Sequence, residues 1–185
     1  MANLNSLSVS ALHLQVVREQ SPLLSESLLA DCNYEIDAVA SVIEPLLLAP
    51  KRCRYTSLYL QAIATERTAF LATNLVLEQT ANLTPIASSW LIGRSPSCAI
   101  SIRHKTVSRC HAMINQHPIK GLSITDVGSS NGTWVNRHRL QPLEKRWLKD
   151  GDVLQFGKLT VEFFLADRRA AWAALGDSTR PQCLL

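Results

Sequence analysis

Residues 90–136 read WLIGRSPSCAISIRHKTVSRCHAMINQHPIKGLSITDVGSSNGTWVN, and their patterning decides the fold. Short apolar runs, Trp90-Leu91-Ile92, Ala99-Ile100-Ser101-Ile102, His111-Ala112-Met113-Ile114, Leu122-Ser123-Ile124-Thr125 and Trp134-Val135, are separated by segments rich in turn residues. Their brevity, their β-branched residues and their spacing predict strands. Downstream, Val153-Leu154-Gln155-Phe156 and the run from Leu159 to Phe164 continue the pattern, punctuated by Asp150-Gly151 and Gly157-Lys158 as turns. Upstream, Leu75-Val76-Leu77 is a further candidate strand. Many short strands at this spacing predict a mainly β chain built on an antiparallel β-sandwich, assigned to residues 69–166.

The front of the chain reads differently. Residues 1 to about 20 show no period. Ser21-Pro22 then presents an N-cap with proline at the first helical position, and Leu23, Leu24, Leu28 and Leu29 share a face. Ile36, Val39, Ala40 and Ile43 repeat the helical spacing, and Pro45 is expected to end that helix. Beyond the basic link Lys51-Arg52-Cys53-Arg54, a third helix is predicted from Thr56 to about Glu66, carrying Tyr59, Leu60, Ile63 and Ala64. Residues 1–68 therefore form a helical N-terminal region, and residues 167–185 a tail with a helical turn through Ala170-Ala171-Trp172. The helical runs are too short for an independent core, so they are expected to pack on the sandwich, on each other, or across a homodimer.

Composition divides the chain in the same way. All seven glycines lie between Gly93 and Gly176, and all four tryptophans between Trp90 and Trp172. Residues 1–85 carry five Lys/Arg against eight Asp/Glu, net −3, which leaves fourteen against seven, net +7, for residues 86–185. Arg94, Arg103, Lys105, Arg109 and Lys120 fall in a stretch between Glu78 and Asp126 that holds no acid, so that stretch attracts anions. The five cysteines, at 32, 53, 98, 110 and 183, are scattered and odd in number, which predicts reduced thiols in a cytoplasmic protein. The N-terminus lacks the layout of a secretory signal, and the greasy run Pro45 to Pro50 is too short to span a bilayer.

Chemistry concentrates at strand ends. Arg94 follows Gly93 at the end of a strand-like run, and a planar guanidinium matches phosphate geometry as an ammonium does not. Ser108-Arg109-Cys110-His111 places a hydroxyl and a second cation on the next connection. Ser129-Ser130-Asn131-Gly132-Thr133 adds hydroxyls and an amide that both donates and accepts, with Gly132 expected at positive φ and Thr133 opening the next strand. An arginine, a hydroxyl and an amide together are the groups that grip a dianionic phosphate and the peptide bearing it.

This ordered set, with Val135-Asn136 after it, resembles the forkhead-associated (FHA) domain, a phosphothreonine-peptide binding module, over roughly the second half of the chain. The resemblance implies that Arg94 contacts the phosphate, that Ser108 donates its hydroxyl to it and that Arg109 adds a further contact. It implies that Ser130 lines the phosphate pocket and that Asn131 holds peptide backbone beside the phosphothreonine. Gly93, His111, Gly132, Thr133 and Asn136 complete the structural motif, His111 as an architectural hydrogen-bonder with no titrating role. In one place the chain departs from the family, which commonly has glycine after Asn136; Arg137-His138-Arg139 stands here, so the hairpin loses its permissive residue while the phosphate contacts do not depend on it. The function implied is that of a signalling adaptor dependent on phosphothreonine, with the mark set by a separate Ser/Thr kinase, and with neither catalysis nor cofactor. The alternative is a scaffold or self-association protein that uses the fold without phosphorylation; the joint presence of Arg94, Ser108 and Asn131 weighs against it.

Three other readings fail on context. Gly128-Ser129-Ser130-Asn131-Gly132 matches the string of a hydrolase nucleophile elbow, but a strand-like run follows it and the last histidine, His138, precedes Glu144. Cys98, His104, Cys110, His111 and His117 match no paired-ligand zinc spacing, and Cys110 and His111 would face opposite ways on a strand. Nucleic acid is the main rival for the basic stretch, but that stretch holds no Phe, Tyr or Trp between Leu91 and Thr133 on which bases could stack, so a compact anion pocket fits better than an extended track.

Overall fold

A computed structural model describes residues 22–34, 36–64, 69–75, 82–84 and 87–167. Two helices, α1 (Pro22–Asp31) and α2 (Ile36–Arg52), precede the strands. In chain order these are β1 (Tyr59–Ala64), β2 (Ala69–Thr73), β3 (Asn82–Leu83), β4 (Ser89–Gly93), β5 (Ile100–Ser101), β6 (Ala112–His117), β7 (Gly121–Asp126), β8 (Thr133–Val135), β9 (His138–Arg139), β10 (Lys145–Trp147), β11 (Val153–Phe156) and β12 (Leu159–Asp167). They form a seven-stranded sheet, ordered β3-β2-β1-β12-β11-β8-β9, and a five-stranded sheet, ordered β10-β7-β6-β4-β5. Pairing is antiparallel except for β1 with β12 and β4 with β5. The mainly β sandwich preceded by helices is thus observed.

Between the sheets lies the main core. Leu60, Ala62, Ala64, Leu71, Leu154, Phe156, Val161 and Phe163 from the larger sheet pack with Trp90, Ile92, Ile114, Leu122 and Ile124 from the smaller. The outer face of the larger sheet is also covered. Ile63 and Phe70 are buried with Val39, Val42 and Ile43 of α2, while Tyr59 and Phe164 are buried with Ala49. The helical region therefore makes a third layer on the sandwich, one of the packings expected.

This layer explains two departures from expectation. Tyr59–Ala64 is a strand, not part of a third helix, and it lies inside the larger sheet ahead of residue 69. Even-numbered residues of β1 face the sandwich core and Tyr59 and Ile63 face the helix, so all six are buried and the polar alternation that marks a strand is missing. Nor does Pro45 end α2, which runs on through Pro45 and Pro50 to Arg52. A proline forfeits the helical bond to the carbonyl four residues earlier, here Ser41, which is exposed to water. Burial of Val42, Ile43 and Ala49 then holds the helix through the interruption.

The helix is also pinned at its end. Arg52 donates to both carboxylate oxygens of Asp150, at 2.8 and 2.7 Å, and stacks 4.3 Å above the Phe164 ring. The link that follows is held by the buried Glu162, whose Oε1 accepts the backbone N–H groups of Arg54, Tyr55 and Thr56 at 2.7, 2.7 and 3.0 Å. Residues 1–20, Val76, Leu77 and the expected turn through Ala170-Ala171-Trp172 lie outside the described residues.

Candidate functional site

Strand register brings the motif residues to one end of the sandwich. Ile92 pairs with Ala112, Ala112 with Asp126, and Phe156 with Thr133, so the connections after β4, before β6, between β7 and β8 and after β11 emerge side by side. The first two are stitched by backbone, Arg94 N–H donating to Ser108 O at 2.8 Å and Ser95 N–H to Arg109 O at 3.1 Å. Gly93 permits this approach through its missing side chain, since a Cβ there would stand 2.2 Å from the Arg109 carbonyl oxygen.

His111 locks the base of the site. It is fully buried, its Nδ1 accepts the Ser108 N–H at 2.9 Å, and its Nε2 meets Gly132 O at 3.0 Å. An Nδ1 that accepts and a carbonyl that can only accept require the neutral tautomer protonated at Nε2. Burial lowers its pKa, outweighing the opposing pull of the Gly132 carbonyl and of Asp126. One imidazole thus joins the Ser108 loop to the Asn131 loop.

The Asn131 loop is shaped by Asp126, a residue that sequence reasoning passed over. Its Oδ1 accepts from Gly128 N–H and Ser129 N–H, both at 2.8 Å, and its Oδ2 from the Ser129 and Thr133 hydroxyls, both at 2.7 Å. Burial alone would raise this carboxyl, but the hydrogen bonds led by Ser129 outweigh it and hold the pKa below the ordinary range. Its signal in the sequence was an acid followed by Gly128 and Ser129, the pattern of a side chain that folds its own turn. Gly132 takes a φ of 85°, as expected, and Thr133 opens β8.

Over this base sit the exposed polar groups. Ser130 N–H donates to Ser108 Oγ at 3.0 Å, and the Ser108 hydroxyl lies 3.4 Å from Ser130 Oγ. Asn131 Nδ2 donates to Thr106 O at 2.8 Å, so the amide ties its loop to the neighbouring one. Arg94 is exposed, and among the described residues its side chain uses only Nε, donating to Val107 O at 3.3 Å. Arg109 is exposed too, and its side chain makes no hydrogen bond or ion pair among the described residues. Thr106, also missed from sequence, is the junction: its Oγ1 accepts Lys158 N–H at 2.9 Å, and Gly157 approaches so closely that a Cβ would stand 2.4 Å from Thr106 O.

Asn136 is not part of this cluster. It lies at the far end of β8, where its Nδ2 donates to Asp152 Oδ1 and its Oδ1 accepts Val153 N–H, both at 2.8 Å. Asn136 and Arg137 take φ values of 51° and 67°, and Val135 pairs with His138. The tight two-residue hairpin therefore forms without glycine, with Arg137 in a left-handed conformation that favours one.

The cluster is a cationic, donor-rich surface with Arg94, Ser108, Ser130 and Asn131 on three adjoining loops. Among the described residues no group of three or more His, Cys, Asp or Glu is placed to hold a metal ion, and no helix is long and apolar enough to cross a membrane.

Comparison with known proteins identifies the scaffold. Residues 90–157 match the family model described as the FHA domain. The chain is 31% identical over 100 residues to the mouse E3 ubiquitin-protein ligase RNF8, covering 49% of this chain and 20% of that protein. It is 36% identical over 77 residues to the glycogen accumulation regulator GarA of Mycobacterium tuberculosis, covering 42% of this chain and 45% of that one. Among solved structures it is similar to the N-terminal FHA domain of S. cerevisiae Rad53p in complex with a phosphothreonine peptide, at 28% identity and a TM-score of 0.36, covering 38% of this chain and 56% of that chain. The chain thus spans from a fifth to under half the length of these two curated relatives. Residues 90–157 of this chain are an FHA domain.

Proposed function

We propose that this chain is a phosphothreonine-dependent adaptor whose FHA domain captures a phosphorylated segment of a partner protein. The observation that carries the reading is the exposed juxtaposition of the Ser108 hydroxyl, the Ser130 hydroxyl and the Arg94 guanidinium, with no carboxylate in sequence between Glu78 and Asp126. Arg94 offers its terminal N–H donors to phosphate oxygens, since among the described residues only Nε is engaged. Ser108 and Ser130 share a long 3.4 Å contact that a phosphate oxygen replaces with shorter, charge-assisted bonds. Arg109 adds a second cation at the rim. Asn131 spends its Nδ2 on Thr106 O, which leaves Oδ1 to accept a backbone N–H of the bound peptide.

The role proposed is binding: the groups presented on these loops are donors suited to holding an anion. A separate Ser/Thr kinase supplies the mark, and the cytoplasm, where thiols stay reduced, suits the scattered cysteines. The Rad53p structure, described as a complex with a phosphothreonine peptide, supports this choice of ligand.

The test is calorimetric titration of the full chain with a phosphothreonine peptide library, its unphosphorylated counterparts and an oligonucleotide of equal charge, between about 50 and 200 mM salt. The proposal expects binding only of phosphorylated peptides, with the shallow salt slope of one or two charges. Equal affinity for unphosphorylated peptides would establish the phosphorylation-independent scaffold instead. Tighter, steeply salt-dependent binding of the oligonucleotide would establish a nucleic-acid surface.

A further inference from the structure

Cys98 and Cys110 stand on the two loops that carry Arg94 and Ser108, and the phosphate chemistry uses neither. Cys98 is buried and ends a tight turn closed by its N–H donating to Ser95 O at 3.1 Å. Cys110 is exposed and follows Arg109 directly. The Cys98 thiol donates to Arg109 O at 3.2 Å, so the buried sulfur lies against the peptide group leading into Cys110. Gly93 makes room for this meeting: a Cβ there would stand 2.2 Å from Arg109 O and 3.0 Å from Cys98 Sγ. Cys98 Sγ thus touches the peptide group that joins Arg109 to Cys110, and burial first, then the Cys110 sulfur, push the Cys98 thiol above its ordinary pKa. An accessible thiol beside a sheltered, protonated one is the arrangement of an attacked and a resolving cysteine.

We infer that Cys98 and Cys110 form a peroxide-sensitive dithiol that closes to an intramolecular disulfide across the Arg94 and Ser108 loops and weakens phosphopeptide binding. The Cys110 sulfur attacks one peroxide oxygen, breaking the O–O bond to give a sulfenic acid and releasing water after proton transfer. The Cys98 sulfur then displaces the sulfenic oxygen, forming the S–S bond and releasing a second water, with its thiol proton carried off in that water. Two thiols are oxidised and one hydrogen peroxide is reduced to two waters. Forming the bond takes Cys98 Sγ away from Arg109 O and draws on residue 110, inside the short loop that Ser108 N–H and His111 Nδ1 close at 2.9 Å. The position of the Ser108 hydroxyl depends on that loop. The effect on binding rests on the phosphothreonine reading; formation of the cross-link does not.

The experiment treats the full chain with stoichiometric hydrogen peroxide, blocks residual thiols and digests with trypsin without reduction. Cleavage after Arg94, Arg103, Arg109 and Lys120 leaves Cys98 and Cys110 on separate peptides, 95–103 and 110–120. The expected product is these two joined, absent from Cys98→Ser and from the exposed-site control Cys110→Ser. Affinity for a phosphothreonine peptide should fall at least about fivefold, the low end of usual coupling between sites, and return on reduction. Cys98→Ser, which keeps a donor toward Arg109 O, should hold its affinity through the treatment. Sulfinic acid or an intermolecular link at Cys110 with Cys98 unlinked would overturn the inference, as would a linked protein that binds as tightly as the reduced one. A link formed in a protein whose reduced form binds no phosphopeptide would uphold the dithiol and overturn the adaptor reading.

Discussion

Replacing Asp126 by alanine removes the acceptor of four hydrogen bonds, all between 2.7 and 2.8 Å, from a site where the carboxylate is only 3% exposed. Bonds to a charged group contribute about 1.5–3 kcal/mol each when fully buried. Here the discount differs by partner. The Gly128 amide belongs to an exposed residue and the Ser129 groups to a half-buried one, so water replaces much of what they lose. The Thr133 hydroxyl is wholly buried and left without its acceptor. Counting Thr133 in full and the others at a fraction gives a loss of about 4 kcal/mol, a large share of the 5–15 kcal/mol usual for a domain. With an m-value of about 2 kcal/mol/M, the urea midpoint should fall by about 2 M. Asp126→Asn, which keeps the shape and two of the acceptor contacts, should fall by roughly half as much. The sign with pH follows from the depressed pKa: the Asp126 contribution is present above the unfolded carboxyl pKa and is lost as pH falls through the folded one, so the variants should lose part of the acid limb of stability. A midpoint shift under about 0.3 M in Asp126→Ala would refute the claim that this carboxylate builds the loop.

Three further outcomes follow from single contacts. His111 is buried neutral with a lowered pKa, so its contribution is intact above the unfolded value near 6.5 and declines as pH drops below it; urea midpoints between pH 7.5 and 5.5 should fall, and His111→Asn should flatten that slope. Arg137→Gly relieves a residue at φ 67° and should raise stability by about 0.5–1 kcal/mol, read as a higher Tm; a lower Tm would deny the strain. Glu162→Ala frees three backbone amides between α2 and β1 and should cost about 2–3 kcal/mol in urea denaturation, with amide exchange at Arg54, Tyr55 and Thr56 accelerated.

The parts of the fold legible in sequence were those where one face of a strand meets water or turn residues bracket it. Leu122–Thr125, Val153–Phe156 and the run from Leu159 were placed from such cues. Tyr59–Ala64 was not, because a strand buried on both faces has the continuous apolar text of a helix, and only the presence of α2 on its outer side explains that burial. Pro45 misled for a related reason: the helix is held by tertiary packing that a local rule does not see. At the site, Arg94, Ser108 and Asn131 stood out as polar residues at strand ends, whereas Asp126 and Thr106 act inside the scaffold, Asp126 through three bonds to its own turn and one to Thr133, Thr106 through a bond from Lys158 that only the fold brings near. Asn136, read as part of the structural motif, lies at the other end of β8.

The most direct test of the adaptor account is the affinity of Arg94→Ala against wild type for one phosphothreonine peptide, measured by titration calorimetry at fixed salt, with circular dichroism to verify the fold. Among the described residues the Arg94 side chain makes a single long hydrogen bond, at 3.3 Å, so the fold should survive its removal. The account predicts a loss of about 2–5 kcal/mol in binding free energy, the cost of removing one partner of a charged pair. Unchanged affinity in a folded Arg94→Ala protein would contradict it.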